Sequence, residues 1–301
     1  MLRNALMCSI VFALALCQGI VTRAEEISPE VKRLGVNGYE MAYVERGNGV
    51  PVVFVHGTVV DYRYWASQME PFGERFRTIA VSLRHFYPEG WNGEGEDVSI
   101  RQHANDLAAF IAGLHAGAVH LVGHSLGGDV VLLMASAHPE LLRSVVLMDP
   151  APLNSLLPQT PQATAEVERR RGFVNAALER LEQDDREGGL ERFIDGVSGA
   201  GAWQKMPAPM KQMMLDNAWS IRSLMTDAKE PFICADAGNI TVPVLLVTGE
   251  NSPRMYGVMI AALEPCLKEQ QKVTIPNAGH GMNRANSQAY NGAVLEFMGK
   301  H

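Results

Sequence analysis

Residues 119–128 read Val-His-Leu-Val-Gly-His-Ser-Leu-Gly-Gly, and the fold is decided there. Val119, Leu121 and Val122 form a short apolar run suited to a buried strand, and residues 130–137 read as a helix. The corner between them is Gly123-His124-Ser125-Leu126-Gly127, the G-x-S-x-G pattern of a nucleophile elbow. A strand that turns directly into a helix strains its corner residue, and only small neighbours two places away let the two segments approach closely. That corner lifts Ser125 Oγ clear of the backbone. It also aims the unpaired N–H groups of the new helix at charge developing beside it.

The segments on either side repeat the strand-then-helix alternation. Strands are expected at 31–37, 39–46, 51–55, 78–83, 144–148, 243–248 and 272–275, from their apolar runs and β-branched residues. Helices are expected at 99–116 and 286–298. This order predicts an α/β fold, a mostly parallel central sheet with helices on both faces. Between Pro150 and Ile240 no strand is expected, and 166–183, 190–197 and 209–226 read as helices rich in methionine. The core is therefore assigned to 25–150 and 240–301, with 151–239 as a helical cap inserted over the strand ends.

The first 24 residues have Arg3, an apolar stretch at 5–16 and the small-residue pattern Thr22-Arg23-Ala24. That is the form of a secretory signal peptide, too short for a membrane span. Leu16 is bulky where a lipid-attachment site wants a small residue, so no stable membrane anchor is expected. The mature chain is expected to be secreted or periplasmic. Of four cysteines, Cys8 and Cys17 leave with the signal, and Cys234 and Cys266 remain as a candidate disulfide or as two buried thiols. Neither cysteine has a zinc-type neighbour, and no metal or other cofactor is expected. A net charge of −7 without a basic block argues against nucleic acid as a partner.

With His56-Gly57, the elbow at 123–128 and Pro276-Asn277-Ala278-Gly279-His280-Gly281 in this order, each at a strand end, the chain resembles the α/β-hydrolase family over 31–301. The resemblance implies a serine hydrolase whose triad sits at the carboxyl ends of strands beneath a cap. Ser125 needs a base within reach, and His280, on a loop after the last strand, is the candidate. Most of the nine histidines read as structural, and His56 and His124 lie within motifs, where the usual role is shaping the loop. The oxyanion hole would use the backbone N–H groups of Leu126 and Thr58.

The acid departs from the pattern. Where the family commonly carries Gly-Glu-x-Asp-Pro, this chain has Gly249-Glu250-Asn251-Ser252-Pro253. Two carboxylates compete: Asp149, at the end of the strand after the elbow, and Glu250. Asp149 is preferred because a strand end is a rigid seat and Pro150 is expected to hold its backbone extended. Serine at the elbow speaks against epoxide hydrolase and haloalkane dehalogenase types, which attack with aspartate. The expected activity is hydrolysis of a small to medium, mainly apolar ester or lactone through an acyl-enzyme. C–C bond hydrolysis or perhydrolysis on the same triad is the alternative. A small-molecule receptor with a weakly active triad is the alternative of another class. The oligomeric state is left open.

Overall fold

The computed structural model describes residues 30–95, 99–225 and 231–301, so the expected signal peptide lies outside the described residues. The chain begins with β1 (Lys32–Val36), β2 (Tyr39–Arg46) and β3 (Pro51–Val55), followed by α1 (Ala66–Gly73) and β4 (Arg77–Val81). Next come α2 (Ile100–Gly113), β5 (Val119–His124), α3 (Leu126–Ala137) and β6 (Leu142–Met148). The insertion holds α4 (Pro161–Glu182), α5 (Arg186–Ser198), α6 (Ala208–Asp216) and α7 (Cys234–Ala237). The chain closes with β7 (Val244–Gly249), α8 (Arg254–Leu263), β8 (Gln270–Ile275), α9 (Met282–Ala285) and α10 (Ser287–Met298). Among the described residues, no helix is long and apolar enough to cross a membrane.

The eight strands form one sheet in the order β1-β2-β4-β3-β5-β6-β7-β8, antiparallel only at β1/β2 and β2/β4. The central strands are mostly apolar, and buried at nearly every position, because both faces are covered. Period-two alternation then divides their side chains. Val53, Val55, Leu121, Val145 and Leu147 join one core cluster with α2 and α3, while Val52, Phe54, Val122, Val146 and Met148 join the other. That second cluster runs on into the cap through Val174, Leu190, Phe193, Ile194 and Met214, so sheet and cap share one hydrophobic body.

The strand order reverses at β3, which has β4 on one side and β5 on the other. In such sheets ligands bind beyond the carboxyl ends of the strands at this switch point. Register levels those ends: Val55 pairs with Gly123, His124 with Met148, and Gly249 with Ile275. The residues that follow each strand therefore converge on one rim.

The cap departs from expectation at two places. The helix expected over 209–226 is broken, ending at Asp216 and resuming as a 3-10 turn over Ala218–Met225. Buried Asn217 explains the break. Its amide donates to Asp61 Oδ2 and to the Met213 carbonyl, each at 2.7 Å, and its Oδ1 accepts from the Tyr87 N–H at 2.8 Å. These tertiary bonds outweigh one more turn of local helix. The exit of the insertion also belongs to the core: Phe232 and Ala237 pack with the sheet cluster, and Ser136 Oγ of α3 donates to the Asp236 carbonyl at 2.8 Å. Cys234 and Cys266 are joined in a disulfide with Cα atoms 5.0 Å apart, which ties α7 to the turn after α8.

Candidate active site

Ser125 sits between β5 and α3 at φ 54°, ψ −121°, a conformation seldom adopted by residues with a side chain. Packing enforces it. A Cβ on Gly127 would run into the carbonyls of Val55 and His56, and one on Gly123 into the carbonyl of Gly127. The corner is further pinned by Ser125 N–H donating to the Met148 carbonyl at 3.1 Å and by Ala151 N–H donating to the Ser125 carbonyl at 3.1 Å. Leu126 opens α3, so its N–H has no partner within the helix. Thr58 follows β3 on the opposite wall, in a loop where Val59 has φ 59° and donates its N–H to Ser220 Oγ of the cap at 3.0 Å.

Asp149 is fully buried at the end of β6. Its Oδ2 lies 3.2 Å from His280 Nδ1 and accepts from Ser252 Oγ at 2.5 Å, while its Oδ1 accepts from Thr248 Oγ1 at 2.7 Å. Ser252, which occupies the usual place of the family's acid, thus donates to a carboxylate at the end of the neighbouring strand. Glu250 stands elsewhere: its Oε2 accepts from the Asn277 N–H at 2.8 Å in an exposed turn, and it makes no bond to His280.

One expectation about Asp149 fails. Its backbone is not extended but has φ 40°. The Asp149 N–H is held in the ladder by the Val247 carbonyl at 2.9 Å, while the Ala151–Ser125 bond draws the next residues back over the elbow. The chain must reverse within two residues, and aspartate tolerates left-handed backbone better than most residues.

His280 lies in a row of rings. It stacks on Tyr256 with centroids 4.1 Å apart and planes at 10°, and meets His124 at 4.4 Å; His124 in turn stacks on Tyr64 at 5.0 Å. His124 Nε2 donates to the His280 carbonyl at 3.1 Å and so anchors the loop. Burial, reinforced by the neighbouring His280, holds the His124 pKa well below the usual histidine range, which keeps it neutral. Gln68 of α1 binds the Asn283 carbonyl at 2.8 Å and Asn291 Oδ1 at 2.9 Å, fixing the return of the chain after His280.

Ser125, His280 and Thr58 line one cavity of about 360 Å³, with a largely apolar far wall that includes Phe193, Ile194, Met206, Met210 and Met214 from the cap. The methionines thus face the space as well as packing the cap. Tyr256, which sequence reasoning missed, is buried beside Ser125 with its hydroxyl directed at the serine. Burial, then the Asp149 carboxylate, pushes its phenol far above the ordinary value, so it remains neutral. It carries no motif: Tyr256 is one aromatic residue in an otherwise apolar helix, and only tertiary packing brings it to the site.

A serine hydroxyl, an imidazole oriented by a buried carboxylate, and backbone donors around one apolar cavity are the parts required for acyl transfer. The family model for the "Alpha/beta hydrolase family" matches residues 52–293. A 2-(acetamidomethylene)succinate hydrolase of Mesorhizobium japonicum is 24% identical over 277 residues, covering 89% of this chain and 94% of that protein. A thermophilic esterase from Thermogutta terrifontis, solved with malate bound, superposes with a TM-score of 0.69 at 24% identity, covering 90% of this chain and 98% of that one. Est816, described as an N-acyl homoserine lactone degrading enzyme, superposes with a TM-score of 0.68 at 20% identity over 88% of this chain and 99% of its own. Those two likenesses establish the fold alone, but the match over 52–293 goes further, and the chain belongs to the alpha/beta hydrolase family.

Proposed function

We propose that the protein is an exported serine hydrolase that cleaves carboxylic esters or lactones. The observation that carries the reading is the bond from His280 Nδ1 to buried Asp149, on the wall of the cavity that also holds Ser125. Asp149 fixes the tautomer with Nδ1–H, which leaves Nε2 free to accept a proton. In the first half-reaction Ser125 Oγ attacks the substrate carbonyl and its proton passes to His280 Nε2. The N–H groups of Thr58 and Leu126 stabilise the oxyanion. The tetrahedral intermediate collapses, His280 gives the proton to the departing alkoxide, and an acyl-serine remains. Water, deprotonated by His280, then attacks that ester, and Ser125 recovers its proton as the acid leaves. Est816, described as an N-acyl homoserine lactone degrading enzyme, is in keeping with this class of bond.

A fluorophosphonate probe should label the purified mature protein at Ser125 and label neither Ser125→Ala nor His280→Ala at a comparable rate. A panel of p-nitrophenyl esters with a few lactones should show turnover that Ser125→Ala lowers by about a thousandfold or more with an unchanged melting temperature. Near-normal turnover in folded Ser125→Ala would sink the mechanism. Export rests on residues 1–24 and is in keeping with a Cys234–Cys266 bond, since disulfides persist in oxidising compartments. Intact-mass measurement of the expressed protein should find a chain beginning at Glu25; a chain retaining residues 1–24 overturns export.

A further inference from the structure

Charge is distributed unevenly around Ser125. The chain carries a net charge of −7, yet among the described residues the main cavity is lined by no carboxylate and by one permanent cation, Arg284. Arg284 stands on α9, just past His280, and reaches toward the cap: its Nη1 lies 3.2 Å from Met210 Sδ, and its Cζ is 6.0 Å from the Tyr64 ring centre. A thioether is a weak acceptor and a ring face no substitute for a counter-ion. A guanidinium presents its donors as a planar fork matched to a carboxylate, and no Asp or Glu among the described residues pairs with this one.

A second arginine adds to the field. Arg170 of α4 lines a small alcove on the other side of Ser125, together with Thr58 and Tyr256, also without an acidic partner among the described residues. The alcove offers only about 20 Å³, room for roughly one water. A carboxylate does not fit there, but it fits the main cavity of about 360 Å³. Arg170 therefore contributes potential, and Arg284 offers the seat.

We infer that this site selects esters whose acyl chain ends in a carboxylate, with Arg284 at the cavity mouth binding that anion while the scissile carbonyl lies at Ser125. The inference rests on the hydrolytic reading above and names its substrate class. Half-esters of short dicarboxylic acids have the required chemistry: an apolar spacer against the methionine wall and one charge at the far end.

The test compares p-nitrophenyl hemiglutarate with its neutral methyl ester, methyl p-nitrophenyl glutarate. The anionic ester should be favoured in kcat/KM by about tenfold or more, mostly through KM, as expected of one charge-assisted fork. Arg284→Leu should collapse that ratio to near one, and Arg284→Lys should retain part of it. Because the mouth is open to solvent, the preference should shrink with added salt. A ratio of one or below in the unmodified protein, or a ratio that Arg284→Leu leaves unchanged, overturns the inference and makes Arg284 a clasp for the cap. If neither ester is turned over, the hydrolytic reading fails on its own. Calorimetric titration of glutarate into Ser125→Ala then judges the anion seat: binding lost in Ser125→Ala/Arg284→Leu supports it, and no binding, or equal binding, overturns it.

Discussion

Asp149 is fully buried, and its partners are His280 and two hydroxyls rather than a cation. An imidazolium formed at His280 would be its nearest countercharge, and that is the moment of acyl transfer at which stabilisation lowers the barrier. Asp149→Asn keeps the shape but lets the amide favour the wrong tautomer. It should cost about a thousandfold or more in kcat. Glu250→Gln removes only the charge on an acceptor of the exposed Asn277 N–H and should change kcat by less than about threefold. Steady-state kinetics on one good ester ranks the two, and the reverse ranking would make Glu250 the acid. Tyr256 presents a different role. Its ring braces His280 and its hydroxyl faces Ser125, so Tyr256→Phe retains the stack and deletes that hydroxyl. A kcat loss of about tenfold with KM little changed is expected; an unaltered kcat would reduce Tyr256 to packing.

At the scale of elements, the acid seat is a property of two neighbouring strand ends rather than of one residue. Met148 of β6 pairs with Val247 of β7, and Ser252, on the turn after β7, touches Asp149 Oδ2 directly. A carboxylate at 252 would therefore approach His280 from the same rim. Asp149→Asn/Ser252→Asp should recover at least about tenfold of the turnover lost in Asp149→Asn. No recovery would show that the reach from β7 is wrong. This also explains how far the sequence could be read. The elbow, the strands of the core and the loop carrying His280 were legible because each is written locally, in glycine spacing and in apolar runs. Asp149 was preferred over Glu250 on the rigidity of a strand end, but the direction in which its side chain leaves that end depends on register and on its positive φ, which the sequence does not show. Tyr256, Arg170 and Arg284 were invisible because three distant elements bring them to the two pockets beside Ser125. The break at Asn217 was hidden for the same reason, since its partners, Asp61 and Tyr87, lie on the core.

For the whole molecule, the buried histidines set the response to acid. His56 donates from Nδ1 to the Gly57 carbonyl at 2.8 Å and accepts the Leu83 N–H on Nε2 at 3.0 Å, so the neutral ring fills both roles and a second proton has nowhere to go. Burial lowers its pKa to about 4. Burial also lowers His103 to about 3, and neither of its ring nitrogens has a hydrogen-bond partner. In the unfolded chain both titrate near 6.5. Below that pH the unfolded state binds more protons than the folded one, so stability falls as pH falls. It is complete above about 6.5 and drains away between there and the folded values of about 4 and 3. Two such groups together amount to several kcal/mol at the acid end, on the order of half the stability of an ordinary domain. The melting temperature followed by circular dichroism should therefore decline steadily from pH 7 to 4.5, above the range in which most carboxylates titrate. Ser125→Ala should decline in parallel, since the effect does not depend on turnover. His103→Leu removes one buried titrating ring that makes no hydrogen bond, and it should flatten the decline measurably. A melting temperature constant between pH 7 and 5, or a slope that His103→Leu leaves untouched, would mean that these rings take up protons in the folded state as readily as in the unfolded chain.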